Sequence, residues 1–168
     1  SFRSFLRVYD DKQKSYILMD SPPEKEDNEH FVIISGMLIK MGIPSPRIIK
    51  KDLQAGLLLL TDLGQQTWLK KNISTPKERN RFYGEAINIL VSIQTNGIAF
   101  QEQLPKYNSV LLHNEMDLFS KWYCKKELAV ESKTLKEFNF QELFNSLSAR
   151  ALEQKQVFVH RDYHSRNI

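Results

Sequence analysis

The sequence has very little cysteine and no long hydrophobic run. Its one cysteine, Cys124, excludes an internal disulfide and fits a reducing compartment. Among leucine, phenylalanine and tryptophan, such a residue is far more often a buried hydrophobe than a nucleophile. The longest nearly apolar run, residues 31–39, is too short for a membrane span, which needs roughly 20 residues. No secretory leader is visible, although the chain begins with Ser1 rather than Met, as it would if an upstream segment had been removed. We expect a cytoplasmic protein.

The chain also lacks any dense patch of one charge. Its net charge is +4 and its pI is near 9.1, but the basic residues are scattered among acidic neighbours. Such charges usually lie on solvated faces, so no nucleic-acid partner is expected. With 168 residues, 41% of them hydrophobic, the chain is long enough to bury a core in one domain or two small lobes.

The most informative stretch is the last twelve residues. An apolar run at residues 157–159, which we expect to be a buried strand, leads into a polar loop that contains His160 and Asp162. Asn167 follows five positions after that aspartate. This is the spacing of a kinase catalytic loop.

Phosphoryl transfer explains why these residue types are needed. The protein must place a hydroxyl in line with the γ-phosphate and neutralise charge with Mg²⁺. Asp162 is the candidate base, Asn167 offers a neutral oxygen to the cation, and His160 braces the loop. Alternatively, His160 and Asp162 form a strand-end pair and Asn167 is a turn residue. The succession of apolar strand and polar loop favours catalysis.

The first part of the chain has the pattern of a small α+β lobe. Residues 2–9 and 16–19 predict a β-hairpin. A helix is predicted from Glu24 to a stop at Gly42. Two more strands follow, of which Leu57–Thr61 is so apolar that we expect it to be fully buried.

The rest of the chain is predicted to be mostly helical. Thr75 and Glu78 frame a capping box with a proline between them, and the helix that they begin should stop near Gly97. Further helices are predicted from Ser109 and over residues 138–153. We place the N-lobe at residues 1–62 and a partial helical C-lobe, which ends in the catalytic loop, at residues 63–168.

With these motifs, the chain resembles the aminoglycoside phosphotransferase and choline kinase branch of the protein-kinase-like fold. Within that branch it is most similar to the bacterial anomeric kinases that phosphorylate N-acetylmuramate and N-acetylglucosamine at the 1-position in cell-wall recycling. The closer match is carried by residues 18–27, residues 57–64 with Thr67 and Leu69, Leu111, Leu112, Glu115, Phe119, Trp122, Tyr123 and the terminal loop.

The resemblance implies a two-lobe α+β fold with a nucleotide-binding antiparallel sheet, and ATP and Mg²⁺ as cofactors. It makes Asp162 the catalytic base and Asn167 a magnesium ligand. It also implies that adenine binds the backbone of Thr61, Asp62 and Leu63.

The phosphate-binding elements of that family are altered here. The residues at the place of its phosphate-covering loop, Ser1 to Ser4, include no glycine, so Arg3 and Ser4 would have to contact the phosphates. Met19 stands where many of these kinases have a strand lysine. The nearest replacement cations by sequence are Lys25, Arg3 and Arg7; a solvated strand face is an equal alternative for the two arginines.

Other polar residues are given roles by position. His164 and Arg166 lie inside the loop and are expected to support it or to contact substrate. In the sugar kinases that the chain resembles, the helix that corresponds to Glu115 and Trp122 is near the acceptor pocket. Alternatively, Glu115 is an ordinary solvated acid and Trp122 is a core residue.

The resemblance also implies an incomplete piece. After Asn167 the family continues with an aspartate that chelates metal and with helices that help form the acceptor pocket, whereas this chain stops at Ile168. By itself the piece is expected to be inactive. The leading hypothesis is an ATP-dependent kinase that acts on a small amino sugar. The alternatives are an aminoglycoside- or choline-type kinase, and a degenerate kinase fold that binds a nucleotide or protein partner without activity.

Overall fold

A computed structural model describes residues 2–65, 75–165 and 167. The predictions for Ser1, Thr67, Leu69 and Arg166 lie outside these residues. The chain forms two compact units, one made of Ser1–Gln101 with Phe158–Ile168 and the other of Glu102–Val157. A lobe boundary after residue 62 stays a prediction.

The first unit contains a four-stranded antiparallel sheet. Its strands are β1 (Ser4–Tyr9), β2 (Ser15–Asp20), β3 (Ile48–Asp52) and β4 (Leu57–Thr61), in the spatial order β1-β2-β4-β3. The predicted hairpin is confirmed, since β1 pairs with β2. The carboxylate of Asp10 closes its turn by accepting hydrogen bonds from the amides of Lys12 and Lys14, each 2.9 Å long.

The core of the sheet is built by alternate residues of its two central strands. Met19, Leu58 and Leu60 are at most 3% exposed and pack together. Leu57, by contrast, is 39% exposed, so the prediction that β4 is buried throughout was wrong. Successive side chains of a strand point to opposite faces, and here one face of the sheet packs against the core.

Helix α1 spans Asn28–Lys40 and packs Phe31 and Val32 against that core. It begins later than the predicted Glu24, because the amides of Lys25 and Glu26 both donate to the carbonyl of Pro22 in a separate turn. Asp27 caps the helix through a 2.8 Å bond from the amide of His30.

The predicted stop at Gly42 is confirmed. Gly42 has φ +76°, and its amide donates to the carbonyl of Ile39 while the amide of Ile43 donates to that of Leu38. This is the hydrogen-bond pattern of a Schellman motif, which favours glycine at the left-handed position.

Helix α2 spans Pro76–Asn96 and buries Phe82, Ala86 and Ile93. Its predicted capping box is confirmed, with Thr75 and Glu78 each bonding the backbone of the other. The α-helix ends at Gly97, as predicted, and a 3₁₀ segment continues over Gly97–Gln103.

The second unit is helical, as predicted. Helix α3 (Ser109–Leu118) runs into a π-helical segment at Phe119–Glu127, followed by α4 (Ser132–Glu137) and α5 (Phe140–Leu152). The last helix begins two residues later than predicted because Asn139 is its cap. Cys124 is buried, as expected.

The strand predicted at residues 157–159 was wrong. These residues are irregular, and in the described part of the chain no strand pairs with them. Only Phe158 is buried, at 4% exposed, whereas Val159 is 45% exposed. The apolar run therefore reflects one anchoring side chain rather than a strand.

Candidate active site

The chain enters the loop of residues 160–167 from a fixed point in the first unit. Phe158 packs directly on Gly97, the residue that ends α2. A Cβ atom on Gly97 would lie 2.4 Å from the Cβ atom of Phe158, a distance that real side chains do not tolerate. Only glycine leaves room for the phenylalanine, so the pair determines where the loop starts.

A second anchor is Tyr163, in the middle of the loop. Its hydroxyl donates a 2.6 Å hydrogen bond to the backbone carbonyl of Ala86 in α2. Its ring lies edge-on to the ring of His160, with the centroids 5.2 Å apart, and burial raises the pKa of Tyr163. This anchor was not predicted from the sequence. The signal was an aromatic side chain with a polar tip in a loop of otherwise small or charged residues.

The loop folds tightly around Asp162. The amide of Asp162 donates to the carbonyl of His160 (3.0 Å), and the carbonyl of Asp162 accepts from the amide of His164 (3.1 Å). Arg161 has φ +72°, a left-handed conformation that is uncommon for residues other than glycine. Such strain persists only where surrounding contacts impose it, and it is concentrated at functional sites.

Asn167 is bound to the same turn. Its side-chain Nδ2 donates a 3.0 Å bond to the carbonyl of Asp162, and its amide donates to the carbonyl of His164 at 2.9 Å. The structure thus brings the proposed base and the proposed magnesium ligand together. Because the nitrogen end of the amide is used within the loop, its oxygen is the end left for a cation.

His160 lies half-buried beside these residues. Burial lowers the pKa of His160, against the opposing effect of the nearby Asp162. Its Nδ1 is buried and has no hydrogen-bond partner among the described residues. A neutral imidazole that packs on Tyr163 is consistent with a bracing role, which remains a proposal.

The donor atoms of the loop suit magnesium. Mg²⁺ prefers hard oxygen ligands and usually takes only one or two from the protein, the rest being water and phosphate oxygens. Asp162 and Asn167 are both exposed and both carry such oxygens. Within residues 2–65, 75–165 and 167, no group of three or more His, Cys, Asp or Glu side chains could hold a metal ion.

The segment after β4 is the proposed adenine edge. The amide of Thr61 donates to the carbonyl of Arg47 (2.9 Å), and its hydroxyl oxygen accepts from the amide of Arg47 (2.9 Å). The N–H of Thr61 is therefore already used within the sheet. The remaining backbone positions are those of Asp62 and Leu63, and the latter residue is 64% exposed.

Asp62 makes the strongest ionic contact in this region. Arg7, on β1, bonds the carboxylate through Nε (2.5 Å) and Nη2 (3.1 Å). The Arg7 guanidinium and the amide of Gly64 hold the pKa of the Asp62 carboxyl well below its ordinary value. The hydrogen bond to Asp62 in turn raises the pKa of Arg7. The sequence had left Arg7 between a solvated strand face and a phosphate contact, and in the structure its guanidinium is paired with Asp62.

The other proposed phosphate ligands lie near the start of β1. Arg3 forms a 3.1 Å ion pair with Glu26 and stacks over the ring of Phe31. Ser4 is the first residue of β1. Met19 is fully buried and cannot supply a cation.

Lys25 lies beside a surface cleft in the same region. Its ammonium group is 4.9 Å from the centre of the Phe2 ring. The cleft has a volume of about 530 Å³ and is lined by Pro23, Lys25, Glu26, Asp27, Asn28, Glu29 and Leu53.

The candidate acceptor residues belong to the second unit. Glu115 is half-buried on α3, and Trp122 is 57% exposed in the π-helical segment. The ammonium group of Lys126 lies 3.7 Å from the centre of the Trp122 ring. Their part in acceptor binding remains a proposal.

Comparison with known proteins gives a consistent result. Residues 1–168 match the model of the phosphotransferase enzyme family. The chain is 37% identical over 168 residues to an N-acetylmuramate/N-acetylglucosamine kinase of Pseudomonas aeruginosa, covering all of this chain and 48% of that protein. Kinases of the same name from Pseudomonas putida and Neisseria meningitidis are 34% and 28% identical, with 48% and 49% of their lengths covered. The chain therefore spans about half the length of the curated relatives that it matches.

Proposed function

This chain belongs to the phosphotransferase enzyme family, and we propose that it carries the nucleotide-binding sheet and the catalytic loop of an ATP-dependent small-molecule kinase. The α+β class with a small antiparallel sheet and a helical remainder agrees with the protein-kinase-like fold of that family. The observation that carries the proposal is the bond from Asn167 to the carbonyl of Asp162, which keeps a base and a cation ligand in one loop.

The described residues divide the work of phosphoryl transfer among them. Asp162, exposed on the loop, accepts the proton of the acceptor hydroxyl as that oxygen attacks the γ-phosphorus. Asn167 would hold the cation through its side-chain oxygen, since its nitrogen is bonded to the carbonyl of Asp162. Mg²⁺, when bound, neutralises charge on the nucleotide phosphates. Tyr163 fixes the loop against the middle of α2, and Phe158 fixes its start against the end of α2.

For the nucleotide, we place adenine at the backbone of Asp62 and Leu63, with Thr61 limited to its carbonyl. The phosphates would lie toward Arg3 and Ser4 at the opposite end of β1. The ion pair of Arg3 with Glu26 keeps that guanidinium in a defined position. Loop support by His160, His164 and Arg166 is part of the same proposal.

For the acceptor, we propose the anomeric hydroxyl of a cell-wall amino sugar. The relatives named N-acetylmuramate/N-acetylglucosamine kinase support this choice at 37%, 34% and 28% identity. Glu115 and Trp122 are the proposed acceptor contacts. Such a kinase would work in the cytoplasm, where ATP is available. In the described residues no helix is both long and apolar enough to cross a membrane.

The second candidate is an aminoglycoside- or choline-type kinase. Such an enzyme binds a cationic acceptor and needs several acids around the base. Within residues 157–168 the sequence has only one acid, Asp162. Acids in the half of the relatives that this chain does not span would have to supply such a cluster.

Turnover assays on the full-length protein test the proposal. ATP consumption should require N-acetylmuramate or N-acetylglucosamine, and an aminoglycoside or choline should not replace them. Asp162→Asn should lower kcat by about 10²- to 10⁴-fold, because general base catalysis typically contributes that much. Its ATP affinity should stay within about twofold of wild type, since the substitution removes a charge but no nucleotide contact. A wild-type protein that binds ATP equally well with and without Mg²⁺ and phosphorylates none of these acceptors would contradict the proposal and favour the degenerate fold.

A further inference from the structure

We infer that Arg7 is a positioning residue for nucleotide recognition: it holds the backbone of Asp62 to Gly64, directly after β4, in the shape that receives adenine. The inference rests on the proposed function, because it concerns the nucleotide site of that kinase. Arg7 touches neither the reacting atoms nor, in this assignment, the nucleotide itself.

The contact is a set of hydrogen bonds between segments that are 55 residues apart in sequence, and the side chain of Ser15 bonds the same Asp62 carboxylate. Arg7 donates hydrogen bonds to both oxygens of the Asp62 carboxylate, from Nε at 2.5 Å and from Nη2 at 3.1 Å. The same Nη2 donates to the carbonyl of Gly64 at 3.0 Å, and the amide of Gly64 donates to Asp62 at 2.8 Å. Bidentate arginine–carboxylate pairs of this kind are geometrically specific as well as strong.

The burial of the pair gives it control over the local backbone. The side chain of Asp62 is only 6% exposed and that of Arg7 is 27% exposed. Removing Arg7 would take away both the counter-charge of Asp62 and the donor to the carbonyl of Gly64, so both groups would turn to water and the segment would no longer be held in one shape. Gly64, with φ +105°, gives the backbone the freedom to move.

The position of Arg7 along β1 assigns it to the adenine end of the site. Ser4 lies opposite Asp20 at one end of the hairpin, whereas Arg7 lies opposite Ile17, three residues further along the strand. At roughly 3.3 Å per residue, three residues correspond to about 10 Å. Arg3 and Ser4 lie at the end proposed for the phosphates. Arg7 therefore lies near the backbone proposed to bind adenine, and away from the phosphates.

Affinities for two ligands, measured on the full-length protein, distinguish an effect of Arg7 on adenine binding from an effect on phosphate binding. ATP carries both the base and the phosphates, whereas inorganic tripolyphosphate carries only phosphates. For Arg7→Met and Asp62→Asn we expect the Kd and KM for ATP to rise about tenfold, with kcat at saturating ATP within about twofold of wild type. The Kd for tripolyphosphate should not change.

Two further variants complete the design. Arg7→Lys keeps the charge but loses the bidentate geometry, so it should raise the KM for ATP about threefold. If Arg7→Met does not fold, Arg7→Lys replaces it as the test of the inference. Arg81→Met is the matched control, because the Arg81–Glu85 pair is 3.9 Å long with side chains 65% and 54% exposed. It should leave both ligands unaffected.

Each other outcome has a definite meaning. Equal weakening of ATP and tripolyphosphate would place Arg7 on the phosphates, or make it a general structural residue, and overturn the inference. Unchanged ATP binding in both Arg7→Lys and Asp62→Asn would overturn it while leaving the proposed function intact. A wild-type protein without ATP binding would overturn both.

Discussion

The hydroxyl of Tyr163 donates a hydrogen bond of 2.6 Å to the backbone carbonyl of Ala86, joining the loop of Asp162 to the middle of α2 across 77 residues of sequence. Ala86 itself is buried, at 5% exposed. The loop is therefore attached to a helix of 21 residues rather than to another loop. The same contact explains why the residue next to Asp162 is a tyrosine and not a phenylalanine.

Tyr163→Phe should weaken this attachment while keeping the ring. A neutral hydrogen bond contributes about 1 kcal/mol to stability, so a decrease of that size in the free energy of unfolding is expected in urea. We expect kcat to fall about three- to tenfold because the loop gains freedom, with the KM for ATP nearly constant. A variant with wild-type kcat would show that the bond serves stability alone.

Gly97→Ala should disturb the point where the loop begins. The new Cβ atom would lie 2.4 Å from the Cβ atom of Phe158, and relief requires a shift of backbone on one side. Overpacking of this kind costs about 1–3 kcal/mol, which thermal unfolding would detect.

The matched control is Gly84→Ala in the same protein. Gly84 lies within α2, and an added Cβ atom there would meet nothing within 4 Å. Alanine is a better helix former than glycine, so this variant should be more stable by about 0.5–1 kcal/mol. Equal effects of the two substitutions would mean that Phe158 does not pack as described.

Asn167→Ala should raise the Mg²⁺ concentration needed for half-maximal activity, by about tenfold, because it removes the proposed cation ligand and the bond to the carbonyl of Asp162. Asn167→Asp separates the two effects. It restores an oxygen ligand but not the donor, so the magnesium requirement should recover more than kcat does. Titration of activity with Mg²⁺ at saturating ATP measures both the magnesium requirement and kcat. An unchanged magnesium requirement in Asn167→Ala would exclude this residue as a ligand.

The lowered pKa of His160 makes the free energy of unfolding depend on pH. Burial lowers its pKa from an ordinary value of 6.5, so the unfolded state takes up the proton first as the pH falls. The stability due to the neutral imidazole is fully present above about pH 6.5 and is lost as the pH falls through the lower pKa of the folded state. Urea unfolding between about pH 8 and pH 5 should show this loss, and His160→Gln should reduce it.

The control for this experiment is His30→Gln, which changes an exposed histidine on α1. It should keep the wild-type decrease in stability. If His160→Gln loses as much stability as wild type over the same range, the decrease originates at other groups.

Much of the fold followed from local patterns in the sequence. The capping box at Thr75, the helix stop at Gly42 and the β1–β2 hairpin were predicted correctly because each depends on residues within a few positions of one another. The loop that contains Asp162 and Asn167 was recognised for the same reason, and the structure joins these two residues by a direct bond.

What sequence reasoning missed depends on contacts between distant residues. Nothing near Arg7 indicates that its partner is Asp62, and nothing near Tyr163 indicates Ala86. The apolar run around Phe158 was predicted as a strand because local hydrophobicity does not distinguish a paired strand from one side chain that fills the space above a glycine.

The contact of Gly97 with Phe158 also has an evolutionary consequence. The first unit is discontinuous: the chain leaves it after Gln101, forms the unit Glu102–Val157, and re-enters it at Phe158. Closing such a loop costs an entropy that grows only with the logarithm of its length, so each doubling adds about 0.6 kcal/mol. Insertions and deletions in the connections between the helices of residues 102–157 should therefore be tolerated among descendants of this chain, whereas positions 97 and 158 should change only together.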